Sequence, residues 1–253
     1  ETISLGIGQG YNNFTMLQMA TAMATLSSAG KRYEPRLVRQ IDDVLTGAQR
    51  KVSAQALKPV ELKPEQVDVI REAMNGVTIA GTSARVFAGA GYQSGGKTGT
   101  AQAVGLKQNE KYSAHRVDEH LRDHALYIAF APLADPQIAV AVIVENAGWG
   151  AGAAAPIARR LFDFMLLGRV PSEEDIAATK SGTSAAPIGQ PRNVQDLVLP
   201  GSGSAPSAAA AMIGAASAPA TSLAAAPVAV SGGASLVSAN AAAETPDNRA
   251  LRR

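Results

Sequence analysis

The sequence predicts an α+β domain in which helices pack on an antiparallel sheet, and three observations carry that prediction. Two apolar segments, Ala125 to Ala131 and Ile138 to Glu145, are joined only by PLADPQ. Such a link can turn a hairpin but is far shorter than the crossover that parallel neighbours need. Three other stretches carry apolar residues at helical spacing. From Tyr92 onward the order then reads strand, excursion, strand, strand, helix, which closes as a helix on an antiparallel sheet.

Each element has a local reason. Thr15 with Gln18 three positions later is a capping-box signature, and Met16, Met19, Ala20, Met23 and Leu26 follow at helical spacing. The expected helix has about four turns and ends with Gly30 as its C′ residue. Leu37, Val38 and Ile41 suggest a short strand. Pro64 opens a second helix whose expected apolar face is Val67, Ile70, Met74 and Val77. The polar stretch LKQNEKYSAHRVDEHLRDH fits an exposed excursion. The last helix, Ala151 to Leu167, carries Ile157, Leu161, Phe164 and Met165 on its expected buried side and stops at Gly168.

Composition divides the 253 residues in two. With 46% hydrophobic residues the chain has material for a core. From about residue 171, however, aromatic residues vanish and Ala, Ser, Pro and Gly dominate, a mixture that buries too little to offset its ordering. The expected organisation is a domain over residues 1–168 and a disordered tail over 169–253. A net charge of +2 with interspersed signs gives no basic stripe, which removes the electrostatic case for a nucleic-acid partner. Arg249, Arg252 and Arg253 are read as a solvated end. The absence of Cys excludes disulfides and a thiolate nucleophile. The opening ETISLGIGQG has no basic and apolar leader pattern. The aliphatic run Ile138 to Val144 is far below the roughly 20 residues of a membrane helix. Any membrane anchor is therefore expected upstream of Glu1.

The chemistry concentrates in GYQSGGKTGTAQ, residues 91–102. Gly91, four residues, then Gly96-Lys97-Thr98 satisfy the phosphate-loop pattern. The same letters contain Lys97-Thr98-Gly99, the K-T-G element of penicillin-interacting serine enzymes. A phosphate loop needs a helix directly after the lysine, fed by a parallel strand. Gly99 follows at once instead, Thr100-Ala101-Gln102-Ala103-Val104 has no helical face, and the next connection is an antiparallel hairpin. Glu145, ending an apolar strand, could serve as a magnesium carboxylate, but the remaining chain is too short for the parallel sheet. Acyl transfer needs only a strand: Lys97 offers a cation to a substrate carboxylate and Thr98 a hydroxyl. Gly99 offers bare backbone along which a peptide can lie. A third reading is a glycine-rich, solvated strand end with no chemistry.

The wider sequence resembles a known family. GIGQGY, GKTGTAQ, RDHALYIAFAP, PQIAVAVIVEN and the closing helix match, in order and spacing, the end of the transpeptidase domain of elongation-type class B penicillin-binding proteins, over about Glu1 to Gly168. The resemblance implies the C-terminal portion of a penicillin-recognition fold and a D-Ala-D-Ala transpeptidase of cell-wall elongation and cell shape, working by serine acyl transfer. It implies Lys97 and Thr100 as catalytic residues, and Thr98, Gly99, Thr100 and Gln102 as substrate-binding residues. The Thr100 backbone N–H would form half of an oxyanion hole. It implies no cofactor and no metal. The implied partners are peptidoglycan stem peptides, β-lactam antibiotics and elongation-complex membrane proteins including a glycosyltransferase. The implied location is the periplasmic face of the bacterial inner membrane.

The family also needs a serine with a lysine three residues on, and an S-x-N element, before K-T-G. Ser28 to Lys31 fits the first on paper, but Gly30 ends its helix and breaks the one-turn spacing. Ser238-Ala239-Asn240 lies after K-T-G, and Tyr11-Asn12-Asn13 belongs to a glycine-rich turn. The nucleophile is therefore expected upstream of Glu1, and this stretch alone is expected to be inactive. Met16 stands where relatives often have Pro, which touches nothing catalytic. His120 and His124, four apart, have no third metal ligand and read as a solvated loop. Trp149 reads as a turn residue over the sheet edge. The competing functions are a non-catalytic wall-binding or partner-docking module and a phosphate-loop nucleotidase.

Overall fold

The computed structural model describes residues 5, 6, 8, 10, 12–103, 117–183 and 185–196. Most of the excursion, the Ser238 to Asn240 match, the terminal arginines and the tail beyond residue 196 lie outside the described residues.

Helix α1 (Met16–Ser27) starts on the expected capping box. The Gln18 amide donates to Thr15 Oγ1 at 3.2 Å, and the Thr15 amide donates to Gln18 Oε1 at 2.9 Å, so two otherwise orphaned donors are satisfied. Its end differs from the expectation by one residue. Ala29 takes the left-handed position, φ 55°, and Gly30 follows it at φ 92°. The amides of Ala29 and Gly30 reach back to the carbonyls of Leu26 and Thr25 at 3.1 and 2.8 Å. Gly30 is required for a second reason: a side chain there would overlap the Val60 carbonyl.

Two small antiparallel ribbons follow, β1 (Arg32–Tyr33) with β4 (Ala56–Leu57), and β2 (Gln40–Asp42) with β3 (Gln49–Lys51). The strand expected from Leu37 contains only Ile41. Leu37 is fully exposed and Val38 about half, because no layer covers this ribbon.

Helix α2 (Pro64–Ile79) begins at its proline. Its buried residues are Val67, Met74 and Thr78, whereas Ile70 is 43% exposed. The inward stripe is completed by Arg71, which donates to the carbonyls of Leu133 and Ala134 and so fastens the helix to the hairpin turn. A single turn, α3 (Ala84–Phe87), leads to the central sheet.

That sheet has the order β5 (Gly95–Ala101), β6 (His124–Ala131), β7 (Ile138–Val144), antiparallel throughout. Register pairs Lys97 with Ile128, Thr98 with Tyr127 and Gly99 with Leu126. Helix α4 (Gly150–Leu167) covers one face and ends at Gly168, φ 62°, as expected. Its buried side is not the expected one. Ala154, Ala155, Ala158 and Phe162 are fully buried, while Ile157 and Leu161 are 42% and 40% exposed. Small alanines let the helix axis approach the sheet closely, and Phe162 fills the remaining space against Phe87 and Tyr92. Helices α1 and α2 cover the other face through Met23 and Met74, which close on Phe130.

Residues 169–196 were expected to begin a tail and instead carry structure. Strand β8 (Arg169–Val170) pairs with β9 (Arg192–Asn193), and helix α5 (Glu173–Lys180) lies between them. Ser172 caps α5 by accepting the Asp175 amide at 3.0 Å, and Arg160 Nε holds the buried Asp175 carboxylate at 2.9 Å. Polar contacts order this segment, which is why hydrophobic composition did not reveal it.

Candidate active site

Strand β5 is built in two halves. Gly95 and Gly96 are buried, and the sheet leaves them no room for a side chain. A Cβ on Gly95 would overlap the Phe130 ring, and one on Gly96 would overlap the Tyr127 hydroxyl. Past these two the strand emerges: Lys97 and Thr100 are exposed, with Thr98 and Gly99 between them half-buried. The glycines therefore bring the strand hard against the core just before the residues that carry the chemistry.

Side chains alternate along a strand, so Thr98 shares the α4 face with Tyr127, while Lys97 and Gly99 share the opposite face with Ile128 and Leu126. Main-chain groups alternate too, between the ladder and the open edge. The Gly99 carbonyl and amide and the Leu126 carbonyl converge beside Gly150, the latter pair in register across the ladder. The Thr98 carbonyl, one residue away, accepts Lys97 Nζ at 2.7 Å. Strand alternation gives the main-chain groups of Thr100 the same sense as those of Thr98. β5 is an outer strand of this sheet among the described residues.

Beside this edge, over the sheet face that carries Lys97, lies a groove of about 860 Å³, lined by Lys97, Thr98, Gly99, Thr100 and Ala101, and roofed by the start of α1 at Thr15, Gln18 and Met19. Leu126, Ile128 and Ile143 form its apolar floor. Gln102 lies one residue past the strand and outside that lining. The roof residues carry a helix-cap signature in sequence, and nothing in them signals a place beside Lys97.

The strand is braced by the end of α2 and the loop that follows it. Thr78 Oγ1 donates to the Ser94 carbonyl at 2.9 Å. Ser83 Oγ lies 2.9 Å from the Tyr127 hydroxyl, and Thr82 Oγ1 lies 3.2 Å from Thr98 Oγ1. Burial pushes the Tyr127 phenol up to about 12, partly offset by the Ser83 hydrogen bond, so it stays neutral beneath Gly96. Sequence reading missed this loop because Gly81-Thr82-Ser83 has no spacing that points to K-T-G.

Several sequence matches separate in space from this edge. Ser28 spends its hydroxyl on the Ala24 carbonyl at 2.7 Å, as a helix-end residue does. Ser94 and Lys97 also spell S-x-x-K, but Ser94 is buried just before β5 and Lys97 lies within that strand, so no helical turn joins them. His124 Nδ1 accepts the Asn146 amide at 3.0 Å, and His120 sits in a separate short turn, so the two imidazoles share no helix face. Trp149 is 69% exposed at the start of α4 and outside the groove lining. Glu145 follows β7, and the segment after Gly99 remains strand. Neither the helix nor the parallel sheet that a phosphate loop requires is present at Lys97.

Comparison with known proteins agrees with this geometry. Residues 1–163 match the family model described as the penicillin binding protein transpeptidase domain. The peptidoglycan D,D-transpeptidase MrdA of Haemophilus influenzae is 39% identical over 179 residues, which are 69% of this chain and 27% of that protein. MrdA of Escherichia coli K12 is 38% identical over 189 residues, 74% of this chain and 29% of that protein. The crystal structure of Pseudomonas aeruginosa PBP2 in complex with WCK 5153 superimposes with a TM-score of 0.52 at 37% identity, covering 66% of this chain and 34% of that one. The chain spans between a quarter and a third of the length of these relatives. With the family model covering well over half of its residues and K-T-G placed on an open antiparallel edge, this chain belongs to the penicillin-binding protein transpeptidase domain family.

Proposed function

We propose that this chain is the K-T-G-bearing part of a peptidoglycan D,D-transpeptidase of cell-wall elongation. The observation that carries the reading is the edge strand itself, with Lys97, Thr98 and Thr100 lining a groove and the Thr98 carbonyl accepting Lys97 Nζ. A stem peptide ending in D-Ala-D-Ala lies along β5 as an added strand. The Lys97 ammonium and the Thr98 and Thr100 hydroxyls take its terminal carboxylate. Gly99 leaves the backbone bare, so the peptide can come close.

In the reaction, a serine hydroxyl loses its proton to a base and attacks the penultimate D-Ala carbonyl. The resulting oxyanion is met by the Thr100 N–H. Collapse expels D-Ala, which takes up the proton, and leaves an ester. An amine of a neighbouring stem peptide then attacks the ester and restores the serine. A preset amide at the oxyanion contributes about 3–4 kcal/mol to such a step. The serine and its lysine are supplied by a segment of the same protein other than the residues described here. Penicillins acylate that serine and stop the cycle.

The similarity to MrdA supports a cell-wall enzyme; on this reading it works at the periplasmic face of the inner membrane with membrane proteins of the elongation complex, a glycosyltransferase among them. No described helix is long and apolar enough to cross a membrane.

Fluorescent penicillin labelling of the intact protein, with D-Ala release from a pentapeptide, tests the reading. Lys97→Ala is expected to slow both by about 100-fold or more. Unchanged labelling in that variant would sink the proposal.

A further inference from the structure

The loop between α2 and α3 reaches β5 at one exposed point, the contact between Thr82 and Thr98. Thr82 is exposed, but its neighbour is not free to move. Ser83 is fully buried, with its hydroxyl on the Val77 carbonyl at 3.1 Å and on Tyr127, and its amide on the same Val77 carbonyl at 3.2 Å. Five residues earlier, Thr78 is tied to the Ser94 carbonyl. The backbone that carries Thr82 is thus fastened to the sheet on both sides, and its hydroxyl is delivered to Thr98 by a rigid mount. Thr82 does not line the groove, whereas Thr98 does.

A hydroxyl carries one proton and two acceptor lone pairs. If Thr98 gives its proton to Thr82, it has none for a ligand. If Thr82 donates, the Thr98 proton is free to turn toward the edge, and the accepted bond strengthens it as a donor. An anion on the edge favours the second arrangement, because only there does Thr98 point a proton at the negative charge. A ligand lacking that charge gains little from the choice.

We propose that Thr82 is a positioning residue for carboxylate recognition: it donates to Thr98 Oγ1 and so directs the Thr98 proton onto the terminal carboxylate of the ligand. The inference rests on the transpeptidase reading and deepens it, since it assigns the preference for a free C-terminal carboxylate partly to a residue outside K-T-G. Thr82 acts through Thr98 and touches no reacting atom.

The test is a selectivity measurement on the intact protein. Second-order acylation constants are measured for a penicillin with its free carboxylate and for the methyl ester of the same penicillin, with Thr82→Val, Thr82→Ala and Thr82→Ser. Thr82→Val is nearly isosteric and the position is exposed, and Thr82→Ala serves if the valine variant folds poorly. The expected result is a loss of about 5- to 10-fold for the carboxylate compound in both variants, with the ester altered less than about twofold and Thr82→Ser close to the unsubstituted protein. Introducing Thr82→Val into Thr98→Val is expected to add nothing. Equal slowing of both compounds would mark Thr82 as merely structural and overturn the assignment, as would no change in either. If the unsubstituted protein is acylated by neither compound, the transpeptidase reading falls first and takes this inference with it.

Discussion

The two faces of the central sheet are built to different standards. On the α4 face, Ala125, Tyr127, Ala129 and Ala131 meet Ala154, Ala155, Ala158 and Phe162, and all eight are inaccessible to solvent. On the other face Phe130 is sealed by Met23 and Met74, but Leu126, Ile128 and Ile143 run out into the groove beside Lys97, with Ile143 38% exposed. The closed face sets the strand in place, and the open face leaves room for a ligand. A binding edge needs both: a rigid backing, so that hydroxyls and amides are held in position before the ligand arrives, and an uncovered side.

The comparison can be broken most forcefully at Phe162. Truncation to Ala empties the centre of the closed face between Phe87 and Tyr92, and an expected loss of about 3–5 kcal/mol in chemical denaturation follows. A loss below about 1 kcal/mol would mean that α4 does not carry the sheet.

Alkaline titration sharpens the same contrast. Tyr127 has its phenol raised to about 12 by burial, and Tyr92 is raised further by burial and the Asp163 carboxylate. Below the unfolded value near 10 both phenols are neutral in either state, and their contribution to stability is fully present. As pH rises from about 10 toward 12 the unfolded chain ionises first, so stability falls by about 1.4 kcal/mol per pH unit for each group. Phenolate absorbance should show Tyr127 ionising only as the fold is lost. Smooth ionisation of every tyrosine near pH 10 in the folded protein would contradict a sealed face.

The smallest effect is expected on the open side. Ile143→Thr should change stability by no more than about 1 kcal/mol, because the groove already leaves this side chain partly in water. A loss as large as that of Phe162→Ala would show that the groove is closed in solution.

Much of the architecture was legible because it is local. The Thr15 and Gln18 cap, Pro64, the antiparallel hairpin and the stop at Gly168 each depend on a few neighbouring residues and the backbone geometry they permit. The buried side of α4 departs from the expected one because helical spacing of large residues places Ile157 and Leu161 inward. Close approach to a sheet rewards alanine instead, and that is visible only once helix and sheet share a space. Residues 169–196 were misread for a related reason: their order comes from Ser172 and the Arg160 to Asp175 pair, which bridges 15 positions in sequence.

The chain by itself determined that Lys97 lies on a strand, since Gly99 and the segment after it admit no helix and the following link admits no parallel crossover. The three-dimensional packing decided what surrounds that lysine: Thr82 against Thr98, Ser83 against Tyr127, and the start of α1 over the groove. Torsional preference acts between neighbours and can be read from adjacent letters. Contacts between residues dozens of positions apart depend on how closely whole elements approach, which no local pattern encodes.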